Sequence, residues 1–280
     1  MFARRLSEAF DLTNRRLAYP LLFFFLSLPA VGLMLSAGEF QNPASAAHLG
    51  MVLNFLGFIL FYLLLILFAW PFAYGGVIGE LAHFSGGATD WGLFKTWAVK
   101  SYGRLLLFSL LLLVLAAVLF FIFVLIAAFG FLAAGLSSSG DLAALEERLA
   151  QPPPCSGAGA FFGQLLSTIF AEAAVLTWMA AMISLVLTGR GIWGSLGAGF
   201  KAFFSRPVLK LYLLAFLGFF FLNLLGALVF NRPGAPRLFS GAYFVILVLL
   251  QAYFSVFAIA FLLPGFKPKE EVDAVFAPTE

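Results

Sequence analysis

Six apolar stretches organise the chain, near residues 17–37, 50–79, 104–135, 160–187, 208–230 and 240–264. Each reaches the roughly 20 residues that a helix needs to cross the hydrocarbon of a bilayer. Lipid offers the backbone no hydrogen-bond partners, so only helices and closed barrels can span it. The runs are continuous rather than alternating, which excludes a barrel. The expected fold class is all-α, a polytopic membrane protein of six transmembrane helices. Only 10% of the residues are charged and 63% are hydrophobic. A soluble domain carries about 25% charged residues, so this chain lacks the polar surface to face water. Pro29 and Pro71 fall inside the first and second runs and should kink them.

Basic residues give the direction. Thirteen of the 16 Lys and Arg residues lie at the N-terminus, after the second and fourth runs, and in the tail. Arg148, Arg232 and Arg237 lie in the loops of the other side. Short basic loops stay in the cytoplasm, so both termini are expected there, in the cytoplasmic (inner) membrane. Arg4, Arg5, Arg15 and Arg16 before the first run resemble a signal peptide. The long charged lead and the weak cleavage site at Ser36-Ala37-Gly38 favour an uncleaved span.

Three regions follow. In residues 1–16, Phe2, Leu6 and Phe10 recur every four positions, as in an amphipathic helix in the headgroup region. Residues 17–264 form the six-span domain, and 265–280 form a polar tail expected to be disordered. Between the spans, residues 38–48 make a short external loop. Ser139 to Ala150 read as a short capped helix, stopped by Pro152, Pro153 and Pro154. Residues 231–239 hold a tight turn with Pro233, Gly234 and Pro236.

One polar, basic pattern occurs twice, from about Glu80 to Leu107 and from about Met182 to Leu209. Trp91, Gly92 and Arg104 return 102 positions later as Trp193, Gly194 and Arg206. In the first copy Trp91, Phe94, Ala98 and Tyr102 fall at helical spacing, with Thr89 or Asp90 placed to cap. Trp193, Leu196, Phe200 and Phe204 match them, although Gly197 and Gly199 weaken the second helix. Both copies read as amphipathic helices flat on the inner leaflet, each at the bend of a two-span hairpin. A duplication with this order would be a parallel repeat; chance similarity in a Gly- and Phe-rich chain is the alternative. Trp91, Lys95, Lys100, Arg104, Trp193, Lys201, Arg206 and Lys210 form the candidate lipid or partner surface.

Phe10-Asp11-Leu12-Thr13-Asn14, the two aromatic cytoplasmic helices and six spans with internal ends carry a resemblance. The chain resembles bacterial six-span proteins of the glycerophosphoryl diester phosphodiesterase membrane-domain type. In that family a soluble phosphodiesterase domain can follow the membrane region. No such domain is found in these residues, so the resemblance implies no catalytic residue, only a membrane-embedded module.

Glu172 is the most informative single residue, expected about 18 Å into the fourth span at 1.5 Å per residue. A carboxylate at that depth is a functional candidate by default. Gln164, Thr168 and Glu172 form one stripe at steps of four, with Asn223 and Gln251 at comparable depth and Asn54 nearer the outer surface. The stripe is either a proton or substrate site or a protonated carboxyl holding helices together. Glu80 and His83 read as solvated interface residues, with a proton pair or a headgroup contact as alternatives. Cys155 excludes an internal disulfide and reads as an idle thiol or an intermolecular link. No phosphate loop, zinc helix or nucleophile elbow occurs; Ser85-Gly86-Gly87 lacks the required spacing. The chain is thus expected to be no enzyme, with no cofactor, no metal and no nucleic-acid partner. The expected function is a non-catalytic membrane module assembling with membrane lipid, a protein partner or a second copy. The alternative is a transporter or permease-like component built on the Glu172 region.

Overall fold

The computed structural model describes residues 2–40, 49–83, 89–138, 157–230 and 237–266. Within them every regular element is a helix. In chain order these are α1 (Phe2–Arg15), α2 (Ala18–Phe40), α3 (Leu49–Leu64), α4 (Trp70–His83), α5 (Trp91–Ser138), α6 (Gly157–Leu187), α7 (Ile192–Phe203), α8 (Arg206–Phe230) and α9 (Arg237–Leu262). A π-helical turn, Leu65–Ala69, joins α3 to α4, and a 3-10 turn, Leu263–Gly265, ends α9. The short helix expected over Ser139–Ala150, Cys155, Ser85-Gly86-Gly87, the 231–236 turn, most of the 38–48 loop and nearly all of the tail lie outside the described residues.

Five helical segments are long and apolar enough to cross a membrane: Ile59–His83, Trp91–Leu115, Thr168–Leu187, Arg206–Gly226 and Gly241–Gly265. A shorter apolar helix, Ala18–Pro29, occupies the place of the expected first span. Large apolar side chains cover the flanks of the spans, among them Leu60, Phe121, Phe170 and Phe221. Such a surface is compatible with lipid and not with water.

The tightest packing lies where α4, α6 and α9 end. Residues 73–82 of α4, 179–186 of α6 and 255–263 of α9 are buried without interruption. A helix buried all round must be enclosed by others. Here α1, α2, the first turns of α5, and α7 supply the enclosure. α1 runs antiparallel to the end of α9, with Phe2 edge-on to Phe261 and Phe10 edge-on to Tyr253. The Tyr253 hydroxyl donates to Asn14 Oδ1 at 2.8 Å. Phe2, Leu6 and Leu12 of the amphipathic N-terminus thus pack against protein, while Phe10 stays 55% exposed.

Pro71 explains the turn before α4. Its missing N–H leaves the carbonyl four residues back without its usual donor. The chain widens there into the π turn, with the Trp70 N–H bonded to the Leu65 carbonyl. A π insertion is a recognised way to absorb such a break. Pro29, by contrast, sits inside α2 without interrupting it.

The two copies of the basic pattern fold differently. In the first, residues 91–102 do not form a separate surface helix. They are the opening turns of α5, which runs unbroken for 48 residues. In the second, α7 stops at Phe203 and α8 starts at Arg206. The cause is Pro207, whose counterpart 102 positions earlier is Leu105. Proline in a helix interior clashes with the carbonyl four residues back, so the chain must break before it. Asp90 does cap α5, its carboxylate accepting from the Gly92 and Leu93 N–H groups at 2.9 and 3.0 Å.

Both stretches fold back on the helix before them through a glycine. Gly79 of α4 faces the Trp97 ring of α5, leaving no room for a Cβ. Gly199 of α7 lies against Ala181 and the Thr177 carbonyl of α6, where an added Cβ would meet that oxygen at 2.6 Å. Positions 79 and 97 shifted by 102 are 181 and 199. The same pair of positions touches in each hairpin, with the small residue on opposite partners. Gly189, at φ +63°, ends α6 and starts the turn into α7.

Candidate functional site

The buried polar centre of the molecule joins the N-terminus to α4. The bend between α1 and α2 turns the Arg16 side chain inward, where Nη1 donates to Glu80 Oε2 at 2.8 Å. The two side chains are 1% and 0% exposed. Glu80 Oε1 also accepts from the Asp90 N–H at 3.3 Å, tying the start of α5 to the same carboxylate. Tyr19 adjoins the pair and stacks on Phe94, with Trp91 edge-on. Burial lowers the pKa of the Arg16 guanidinium and the Glu80 charge raises it, so the two effects oppose. The expectation that Glu80 is a solvated interface residue is thus corrected. Its partner is 64 positions away, a separation at which no sequence periodicity connects two residues. His83 is exposed, stacked on Trp97 at 4.4 Å, with Nδ1 2.9 Å from the Gly79 carbonyl.

Glu172 lies on α6, 8% exposed, with Thr168 buried one turn before it. It stands 15 residues before the end of α6, about 22 Å at 1.5 Å per residue. No hydrogen bond or ion pair to its carboxylate occurs among the described residues. The neighbouring Tyr212 hydroxyl donates instead to the Ile169 carbonyl at 3.2 Å. Of the other stripe candidates, Gln251 is exposed and Asn223 half-buried. Gln164 is on α6 and Asn54 on α3, but their side chains lie outside the described ones.

All eight residues of the candidate surface are exposed: Trp91, Lys95, Lys100, Arg104, Trp193, Lys201, Arg206 and Lys210. Trp193 is 75% exposed and Trp91 54%. Lys100 Nζ sits 4.3 Å from the Trp97 ring centre, and Lys210 Nζ 5.7 Å from that of Phe2. Arg104 reaches toward Gly189 at the end of α6. These cations have no carboxylate partner among the described residues, where the ion pairs are Arg4–Glu8, Arg15–Asp11 and Arg16–Glu80.

Among the cavities between the described helices are three of similar size. One of about 410 Å³ lies between α2, α4 and α5, against Leu22, Phe72 and Trp91. A second, about 300 Å³, runs between α8 and α9 under Phe10, from Leu211 to Leu222. The third, about 380 Å³, lies between α4, α5 and α6. The first two have nearly all-apolar walls, Tyr62, Tyr74 and Ser109 join the lining of the third, and Glu172 lines none of them. Among the described residues no group of three His, Cys, Asp or Glu side chains is placed to hold a metal.

No family model, curated protein or solved structure matches the chain.

Proposed function

We propose that the chain is a non-catalytic integral membrane module of the cytoplasmic membrane, which assembles with anionic lipid and a protein partner through its basic, aromatic face. The observation that carries this reading is a contrast of burial. Arg16 and Glu80 consume each other's charge inside the packed end of the bundle. The Lys and Arg residues of the two repeated stretches stay exposed beside exposed Trp91 and Trp193. Exposed cations next to indole rings suit the interface of an anionic leaflet. In this reading Ala18–Pro29 belongs to a sixth span, both termini are cytoplasmic, and the hairpins are a parallel repeat. The matching contacts 79–97 and 181–199 support that repeat. The resemblance to phosphodiesterase membrane domains supports a module that serves another domain or protein.

The test replaces Lys95, Lys100, Lys201 and Lys210 by Gln. Lipid retained on purification and partners recovered by cross-linking should both fall. If neither changes in a variant that remains monodisperse, the reading is wrong.

A transporter reading draws on one observation, the buried Glu172 carboxylate with no donor among the described residues. It predicts that Glu172→Gln abolishes flux at unchanged protein level. That Glu172 lines none of the three cavities favours the module.

A further inference from the structure

The two copies of the repeated stretch differ in what covers them. In the first, the N-terminal segment lies over the aromatic face: Tyr19 stacks on Phe94 with Trp91 edge-on, and Ala98 is buried. In the second, Trp193 is exposed, and so are Phe200, the counterpart of Ala98, and Phe204 just past α7. Ser195 and Gly199 turn the other side of α7 to the bundle. At 3.6 residues per turn, positions 193, 200 and 204 share one side of the helix, and 195 and 199 face away from it. An aromatic face flanked by the exposed cations Lys201 and Arg206 is left bare.

The residues after α9 are well placed to cover it. α9 ends close to the start of α8: the Phe2 ring lies 5.7 Å from that of Phe261 and 5.7 Å from Lys210 Nζ. Phe266 and Leu196 of α7 pack against the same core. Near this end of the bundle Glu8, Asp11 and Glu80 pair with arginines, and Asp90 caps α5. Residues 267–280 bring four of the chain's 13 acids, Glu270, Glu271, Asp273 and Glu280, with Val272, Val275 and Phe276 among them. Extended chain reaches about 3.5 Å per residue. Glu270 then lies within about 14 Å of Phe266 and Phe276 within about 35 Å. The 12 residues of α7 extend only about 18 Å.

We propose that residues 270–276 dock on α7 and the start of α8, a strap of this chain across its own basic, aromatic face. The carboxylates of the strap meet Lys201, Arg206 and Lys210, and its Val and Phe side chains lie against the bare aromatic rings. One exposed ion pair holds little, but several together with apolar contact hold a short segment that salt releases. The docking goes beyond the module reading and needs no lipid.

The test is carbodiimide coupling of the purified full-length chain in an uncharged detergent, which joins a carboxylate to a lysine only where the two touch. The monomeric product is digested and its joined peptides are identified. Tail peptides should be joined to Lys201 and Lys210 at several times the yield found for Lys95 and Lys100, which are also exposed. Salt at about 1 M, which shortens screening to about 3 Å, should lower that yield several-fold. Equal yields over the four lysines, yields unmoved by salt, or tail products confined to dimers would overturn the inference. Each of these outcomes leaves the lipid reading standing, because the Lys→Gln variants test that by lipid retention.

Discussion

Arg16 donates to Glu80 at 2.8 Å across 64 positions of sequence, and both side chains are closed to solvent. The pair locks the α1–α2 bend against α4, the helix that packs against α5. Removing one partner strands the other as a buried charge, which costs about 3–5 kcal/mol. Arg16→Met and Glu80→Leu should each lower the thermal midpoint in detergent strongly. The double variant should recover most of the loss, because an apolar pair leaves no charge stranded. A double variant as unstable as the sum of the two singles would show that the two residues act independently rather than as a pair.

Glycine-to-alanine substitutions should have opposite outcomes at the two contact positions and at an open one. Gly79→Ala would push into the Trp97 ring, and Gly199→Ala into the Thr177 carbonyl. Overpacking of this kind costs about 1–3 kcal/mol. Gly197, two residues from Gly199, has open space where its Cβ would be. Gly197→Ala should therefore gain up to about 1 kcal/mol of helix propensity. Thermal midpoints of the three variants would check this. Trp97→Gly, which also removes the Cβ that the new methyl would meet, should relieve the Gly79→Ala clash and leave that of Gly199→Ala unaffected.

Five apolar helices long enough to cross a membrane were legible in the sequence, because hydrophobic run length answers directly to bilayer thickness. The cap at Asp90 was legible because it acts within three residues. The fate of residues 91–102 was not. Periodicity made them an amphipathic helix, which they are, but could not say whether that helix ends before the next span. That turns on one position, Leu105 in the first copy and Pro207 in the second. The Arg16–Glu80 pair was invisible for another reason. Each residue alone looks like an ordinary interface charge, and only tertiary packing shows that they meet. Glu172 stood out because charge is rare inside a span, yet no pattern could show that Gln251 is exposed.

Flux through a Glu172→Gln variant separates the module from the transporter, and its stability tests whether the acid has a packing role. With no donor among the described residues, its carboxyl gains little from being a carboxyl. Glu172→Gln removes a desolvated acid and keeps the shape. The module reading expects an unchanged or higher thermal midpoint, with undiminished partner recovery. A clear fall in midpoint would show that the acid holds α6 to its neighbours.

Orientation can be read with thiol labelling in whole cells. The basic stretches are assigned to the cytoplasm because positively charged short loops resist translocation. Lys201 is exposed on α7 and Arg206 begins α8, so a label at 201 reports the side on which that bend lies. In a Cys155→Ser background, a cysteine replacing Lys201 should resist a membrane-impermeant maleimide until the cells are opened. A cysteine replacing Arg148 should react at once. The reverse pattern would place the basic, aromatic face outside the cell, away from any cytoplasmic partner and from the inner leaflet.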